Sequence, residues 1–134
     1  MRRTILVRHS FTAMVCCTFA LTAVCAAAEE WNLRSADIPL TAPEVADLTV
    51  GNTLAISDDG HSKFSVGGAY SYTDTDDGGT TFGRFTIKDD GQVCIDFTNG
   101  HQRCDLYVNS GGLMVMISQT GGRFPIRVHW ELRP

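Results

Sequence analysis

The tripeptide Asp-Asp-Gly occurs three times, at Asp58-Asp59-Gly60, Asp76-Asp77-Gly78 and Asp89-Asp90-Gly91. Asn99-Gly100, Gly111-Gly112 and Gly121-Gly122 continue the series. Aspartate offers its carboxylate to nearby backbone N–H groups and glycine takes positive φ, so each of these is a turn signal. Punctuation this dense leaves no room for long helices. The intervals are short apolar or alternating runs at residues 53–57, 63–66, 69–73, 81–88, 93–97, 102–108, 113–118 and 124–130. Seven to eight short strands with a turn every ~8–12 residues predict an all-β fold, a small antiparallel barrel or sandwich. The tripeptides are turn chemistry rather than structural repeats. Gly67-Gly68 reads as a bulge or sharp bend splitting one long strand, and Pro125 predicts an edge position or a strand start.

Residues 92–109 form the central hairpin. Val93, Ile95 and Phe97 alternate with Cys94 and Asp96, and Asn99-Gly100 follows as the strongest short hairpin signal. Two registers compete. A two-residue Asn99-Gly100 turn sets Asp96 opposite Arg103 but puts Cys94 and Cys104 on opposite faces, because strand side chains alternate. A three-residue loop, Thr98-Asn99-Gly100 with Gly100 left-handed, brings Cys94 opposite Cys104 within disulfide reach but sets Ile95 against Arg103. A bulge in one arm would reconcile the two. The facing-cysteine register, with a Cys94–Cys104 disulfide, is the one expected here.

A disulfide needs an oxidising compartment, and the first residues supply a route to one. Arg2, Arg3 and Arg8 form a basic start, residues 11–24 are apolar and uncharged, and Ala26-Ala27-Ala28 places small residues before Glu29. Residues 1–28 therefore read as a secretory signal peptide, and the protein as periplasmic or secreted, with no membrane span after cleavage. The apolar run falls short of the ~20 residues a span requires. Cys16, Cys17 and Cys25 leave with the leader, so two cysteines remain to pair. Of 134 residues, 106 remain, with eight basic against fifteen acidic residues, a net charge of −7 in place of −4. That balance argues against nucleic acid or anionic lipid and favours a neutral or basic partner.

Residues 29–40 form an arm without clear periodicity, in which Trp31 and Leu33 either dock on the domain or stay free. A single β domain occupies residues 41–134. It begins with Thr41-Ala42-Pro43-Glu44, which reads as a capping box with proline in the first turn. A short helix is expected at about residues 42–48, with Val45 and Leu48 facing the sheet and Gly51-Asn52 ending it.

Catalytic and metal motifs are weak. In the acidic loop from Asp74 to Gly79, an EF-hand reading would put Gly78 and Phe85 where carboxyl-bearing residues are needed. His61, His101 and His129 carry no zinc spacing, and His101 lies three residues from a cysteine claimed by the disulfide. There is no Gly-x-Ser-x-Gly, and Ser110 before Gly111-Gly112 is a turn serine. No cofactor, metal or catalytic residue is assigned. Met114 and Met116 read as a strand covered on both faces, and Tyr70 and Tyr72 as a core or barrel-mouth pair. The remaining candidates are the aspartates at the turn tips: Asp58, Asp59, Asp74, Asp76, Asp77, Asp89 and Asp90. If hairpin ends gather at the two ends of a barrel, at least one rim is strongly negative and suits a basic exported protein.

The segments Leu48-Thr-Val-Gly-Asn-Thr-Leu54, Gly83-Arg-Phe-Thr-Ile-Lys-Asp-Asp-Gly-Gln-Val-Cys94 and Gly100-His-Gln-Arg-Cys104, with a tyrosine-bearing strand between, carry a resemblance. The chain resembles a family of small exported proteobacterial β-domains known only as a domain of unknown function. The likeness covers roughly residues 41–123; members often carry tryptophan where Phe85 stands. It implies export and a β fold, and no activity. The expected function is a non-enzymatic periplasmic or secreted binding or accessory protein. The alternative is an inhibitor of an exported hydrolase, a protease or lysozyme, and the third reading is an enzyme with an irregular site.

Overall fold

A computed structural model describes residues 31–57 and 59–129. The expected signal peptide and its cleavage point lie outside the described residues, as do Asp58 and residues 130–134. The elements in order are β1 (Asp37–Pro39), α1 (Ala42–Thr49), β2 (Thr53–Ile56), β3 (Gly60–Phe64), β4 (Ala69–Asp74), β5 (Thr80–Ile87), β6 (Val93–Phe97), β7 (Gln102–Ser110), β8 (Leu113–Ser118) and β9 (Arg123–His129). From β2 to β9 every strand pairs antiparallel with its chain neighbour, and β9 pairs back with β2. The result is a closed eight-stranded barrel. Closure decides between the barrel and the sandwich, and it removes the ring's unpaired edges.

The Asp-Gly and Asn-Gly signals fall at hairpins. Gly67-Gly68 is also a full reversal between β3 and β4 rather than a bend within one strand. β3 starts at Gly60, because Ile56 pairs with Gly60 across a tight turn, and Val66 lies exposed in the next turn. Pro125 is neither at an edge nor at a strand start. It is the last β9 residue paired to β8, directly before the segment that pairs β2, so it sits where the ladder changes partner.

In the central hairpin Cys94 faces Cys104 and the two are disulfide-bonded. Phe97 and His101 flank a three-residue loop in which Gly100 takes φ 87°, a conformation that favours glycine. The pairing runs without a bulge from Val93–Asp105 to Asp96–Gln102. Ile95 opposite Arg103 is tolerated because Arg103 has partners inside the barrel, described below.

The core fills the barrel. Phe64 contacts the rings of Tyr70 and Phe85 edge-on, each at 5.1 Å, and Tyr70 meets Phe97 at 5.9 Å. Leu54, Ile56, Val93, Ile95, Tyr107, Met116 and Ile126 belong to the same buried cluster. The helix closes one end. Glu44 accepts both the backbone N–H and the hydroxyl of Thr41 at 2.8 Å, which fixes the first turn and holds the Glu44 carboxyl below its ordinary pKa. Val45 and Thr49 are buried, and Leu48 packs against the same core. The Asn52 side chain donates to the carbonyls of Leu48 and Asp47, capping the last turn.

From Trp31 onward the arm before the helix is ordered. β1 pairs with residues Val108–Ser110 of β7, on a part of β7 that β6 does not reach. Ahead of it Trp31 packs over an outer apolar cluster of Leu106, Val108, Val115 and Ile117, whereas Leu33 stays exposed. Both faces of β8 are thus covered, by the barrel interior at Met116 and by the arm at Val115 and Ile117. The arm is fastened by two hydrogen bonds from Arg123 to the Asp37 carboxylate, at 2.7 and 2.8 Å.

Those bonds, and the Arg34 backbone N–H, hold the Asp37 carboxyl well below the usual carboxylate range. A pKa depressed in the folded state contributes stability above the unfolded value of about 4, and that contribution is lost as pH falls towards the folded value. Asp37→Asn is therefore expected to be less stable than wild type at pH 7 and closer to it at pH 3. Urea denaturation of both proteins at the two pH values checks this; a gap that widens in acid rules it out.

The acidic mouth of the barrel

Strands that alternate in direction send alternate hairpins to opposite ends. The β3–β4, β5–β6 and β7–β8 turns lie at the end where α1 enters β2. There Gly91 packs so closely on the Leu40 carbonyl that a Cβ would stand 2.3 Å from it. The β2–β3, β4–β5, β6–β7 and β8–β9 turns lie at the other end, which carries no helix among the described residues. Asp59, Asp74, Asp76 and Asp77 belong to this open end, and Asp89 and Asp90 to the helix end. The aspartates singled out by sequence therefore form no single group, and Asp58 lies outside the described residues.

At the open end the first two acidic turns are joined. The Thr75 backbone N–H and hydroxyl both donate to the Asp59 carbonyl at 3.1 Å. Asp74 accepts the Asp76 N–H and Asp77 the Gly79 N–H, each at 2.7 Å, so one oxygen of each carboxylate shapes the loop. At the other end Asp90 accepts the backbone and side-chain N–H groups of Gln92.

Below this rim the inner wall is polar, and sequence reasoning missed it. Tyr72 comes first: burial raises its phenol pKa, and the charges of Asp59 and Asp74 raise it further. Deeper, the Tyr70 hydroxyl bonds Ser62 Oγ at 2.9 Å and accepts from Arg103 Nη2 at 3.3 Å. Arg103 Nε donates to Asp105 Oδ2 at 2.9 Å, and the guanidinium lies 5.7 Å from the Phe97 ring centroid. The Asp105 side chain is fully enclosed, whereas that of Arg103 keeps 32% exposure. Asp105 Oδ1 is buried without a hydrogen-bond partner.

Desolvation pushes the Asp105 carboxyl up, and Arg103 restrains the rise without reversing it. Burial works against the charge on the arginine, but Asp105 and Tyr70 together outweigh it and hold the guanidinium protonated. Complete burial drives the Tyr107 phenol well above its ordinary value, with Asp105 adding to it. The mouth therefore presents fixed negative charge outside, protonated phenols beneath, and a half-open cation held by a buried anion. Such an arrangement can attract and orient a cationic group.

A signal for this network does exist in the chain. Arg103, Asp105 and Tyr107 are spaced two apart, so they share one strand face, and the facing-cysteine register places that face beside Val93 and Ile95. Among the described residues no three His, Cys, Asp or Glu side chains converge as metal ligands do, and no helix is long and apolar enough to cross a membrane. No protein-family model, curated protein or solved structure matches the chain.

Proposed function

We propose that the protein is a non-enzymatic, exported binding or accessory protein that meets a basic partner at the open rim. The observation that carries this reading is the joining of the two acidic turns, which brings Asp59, Asp74, Asp76 and Asp77 to one end while α1 occupies the other. Clustered like charge on a rim raises the association rate of an oppositely charged protein and makes that rate sensitive to salt. The disulfide is consistent with an oxidising compartment. A basic exported hydrolase, such as a lysozyme, is a partner of this chemistry, and an inhibitor is the specific form the function then takes.

The test is binding to lysozyme by surface plasmon resonance, with hydrolysis followed in parallel. Asparagine removes the charge at all four positions and retains the acceptor oxygen by which Asp74 and Asp77 shape their loop. The fourfold variant Asp59→Asn/Asp74→Asn/Asp76→Asn/Asp77→Asn should therefore fold and associate about tenfold or more slowly at low salt. Wild type should slow likewise as salt rises, since exposed charges are screened beyond roughly 8–10 Å. An on-rate that neither salt nor the variant changes would reject the rim as the contact.

A further inference from the structure

One side of the barrel wall carries the opposite charge to its mouth. Outward side chains of four adjacent strands form two rows. One row runs His129, Thr53, Lys63, Ser71 across β9, β2, β3 and β4; the next runs Arg127, Ala55, His61, Thr73. Ala55, the smallest member, lies between Arg127 and His61. An open hollow of about 340 Å³ lies here, lined by Thr53, His61, Lys63, Ser71, Thr73 and His129. All six linings can donate a hydrogen bond and none is a carboxylate. Among the described residues, no acidic side chain occupies an outward position on these four strands. Among the described residues the side chains of His61, Lys63 and His129 make no hydrogen bond or ion pair, and the two imidazoles meet edge-on at 5.5 Å.

A soluble face is ordinarily of mixed charge, with cations answered by nearby carboxylates. Here, among the described residues, no carboxylate answers this set. We propose that this wall is a binding site for a phosphoryl group on a small hydroxylated ligand. The phosphoryl oxygens need several separate donors from different directions, which an ammonium, two imidazoles and three hydroxyls provide. A carboxylate would be served better by a planar guanidinium fork, and none lines the hollow. A long polyanion is disfavoured by the net negative charge of the chain and by the acidic rim. The hollow exceeds one phosphate in size, so the remainder holds the moiety that carries it. This site lies on the barrel wall and does not depend on the reading of the rim.

The test uses the folded, disulfide-bonded chain and backbone amide NMR at constant ionic strength. Inorganic phosphate and glucose 6-phosphate should both move the signals of Thr53, His61, Lys63 and Ser71, the ester more tightly, whereas chloride and glucose should not. Lys63 is exposed and unpaired, so Lys63→Gln should fold and weaken binding roughly tenfold, as loss of a charge-assisted contact does. Lys63→Arg should retain most of it. His61→Gln/His129→Gln should weaken binding by a similar factor. Flotation with phosphatidylglycerol vesicles against phosphatidylcholine distinguishes the source. Vesicle binding lost in Lys63→Gln assigns the phosphoryl group to a lipid headgroup, and binding of the sugar phosphate alone assigns it to a soluble ester. Absence of a response to every phosphoryl probe overturns the proposal, as does a response that Lys63→Gln and the histidine pair leave unchanged.

Discussion

Arg103→Met is expected to destabilise the barrel by roughly 3 kcal/mol at neutral pH, at the low end of the range for a broken buried pair because the guanidinium is partly exposed. The loss arises on the other side of the pair. Asp105 is fully enclosed, one of its oxygens already lacks a partner, and Arg103 donates the bond to the second. Without the arginine the carboxylate must be desolvated uncompensated or take up a proton. Either way the folded-state pKa rises further above its unfolded value, so stability is lost as pH rises through it. The deficit should thus be largest near neutrality and shrink below about pH 4, where the unfolded carboxylate is also protonated.

Arg103→Met/Asp105→Val should recover most of the loss, because replacing a whole buried pair by apolar groups is commonly neutral or stabilising by about 1–4 kcal/mol. Valine suits a strand position facing Val93. Urea denaturation of the two variants and wild type at pH 7 and pH 4 decides the matter. A double variant as unstable as the single one would assign the energy to Tyr70 and Ser62 instead. Full recovery would mean that the pair is not required for folding.

The Cys94–Cys104 disulfide is expected to contribute roughly 2–3 kcal/mol, the chain-entropy value for a loop of ten residue steps. In melting temperature that is roughly 10 °C or more for a domain of about a hundred residues. Both cysteines lie half-buried on the outer face of the central hairpin. Converting both to alanine therefore opens no core cavity, and the effect resides in the freed unfolded chain. The reduced wild type and Cys94→Ala/Cys104→Ala should then melt within a few degrees of each other, both far below the oxidised protein. Two titratable thiols in unreduced, denatured protein would show that the bond is not formed.

The hairpins were legible because aspartate, asparagine and glycine act locally: each turn is specified by the few residues that make it. The helix was legible for the same reason, in Thr41, Pro43 and Glu44. The facing register could be chosen because only it brings two sulfurs together. Closure of the ring had no such local signature. It depends on β2 meeting β9, more than seventy residues on, and either a barrel or a sandwich satisfies every turn. β1 escaped notice because Ile38 is largely exposed and Pro39 is a poor strand residue; it is held by the unpaired stretch of β7 rather than by its own pattern. Arg103 and Asp105 were misleading, since charges on a strand ordinarily mark the wet face. Here both faces of β7 are covered, one by the barrel interior and one by Trp31. The aspartates could be read as turns, but which end each occupied followed only from the parity of the hairpins.

The meander has a kinetic consequence. From β2 onward every strand can find its partner by closing a short loop, and such contacts form early and at little entropic cost. Only the β2–β9 seam joins the two extremes of the ring. Until it zips, the intermediate is a curled ribbon with two raw edges, the kind of surface on which chains aggregate. One of those edges is just four residues long, and Pro125 ends the other. Short and proline-ended edges recruit strangers poorly, so the last seam to close is also the one least inclined to join the wrong chain.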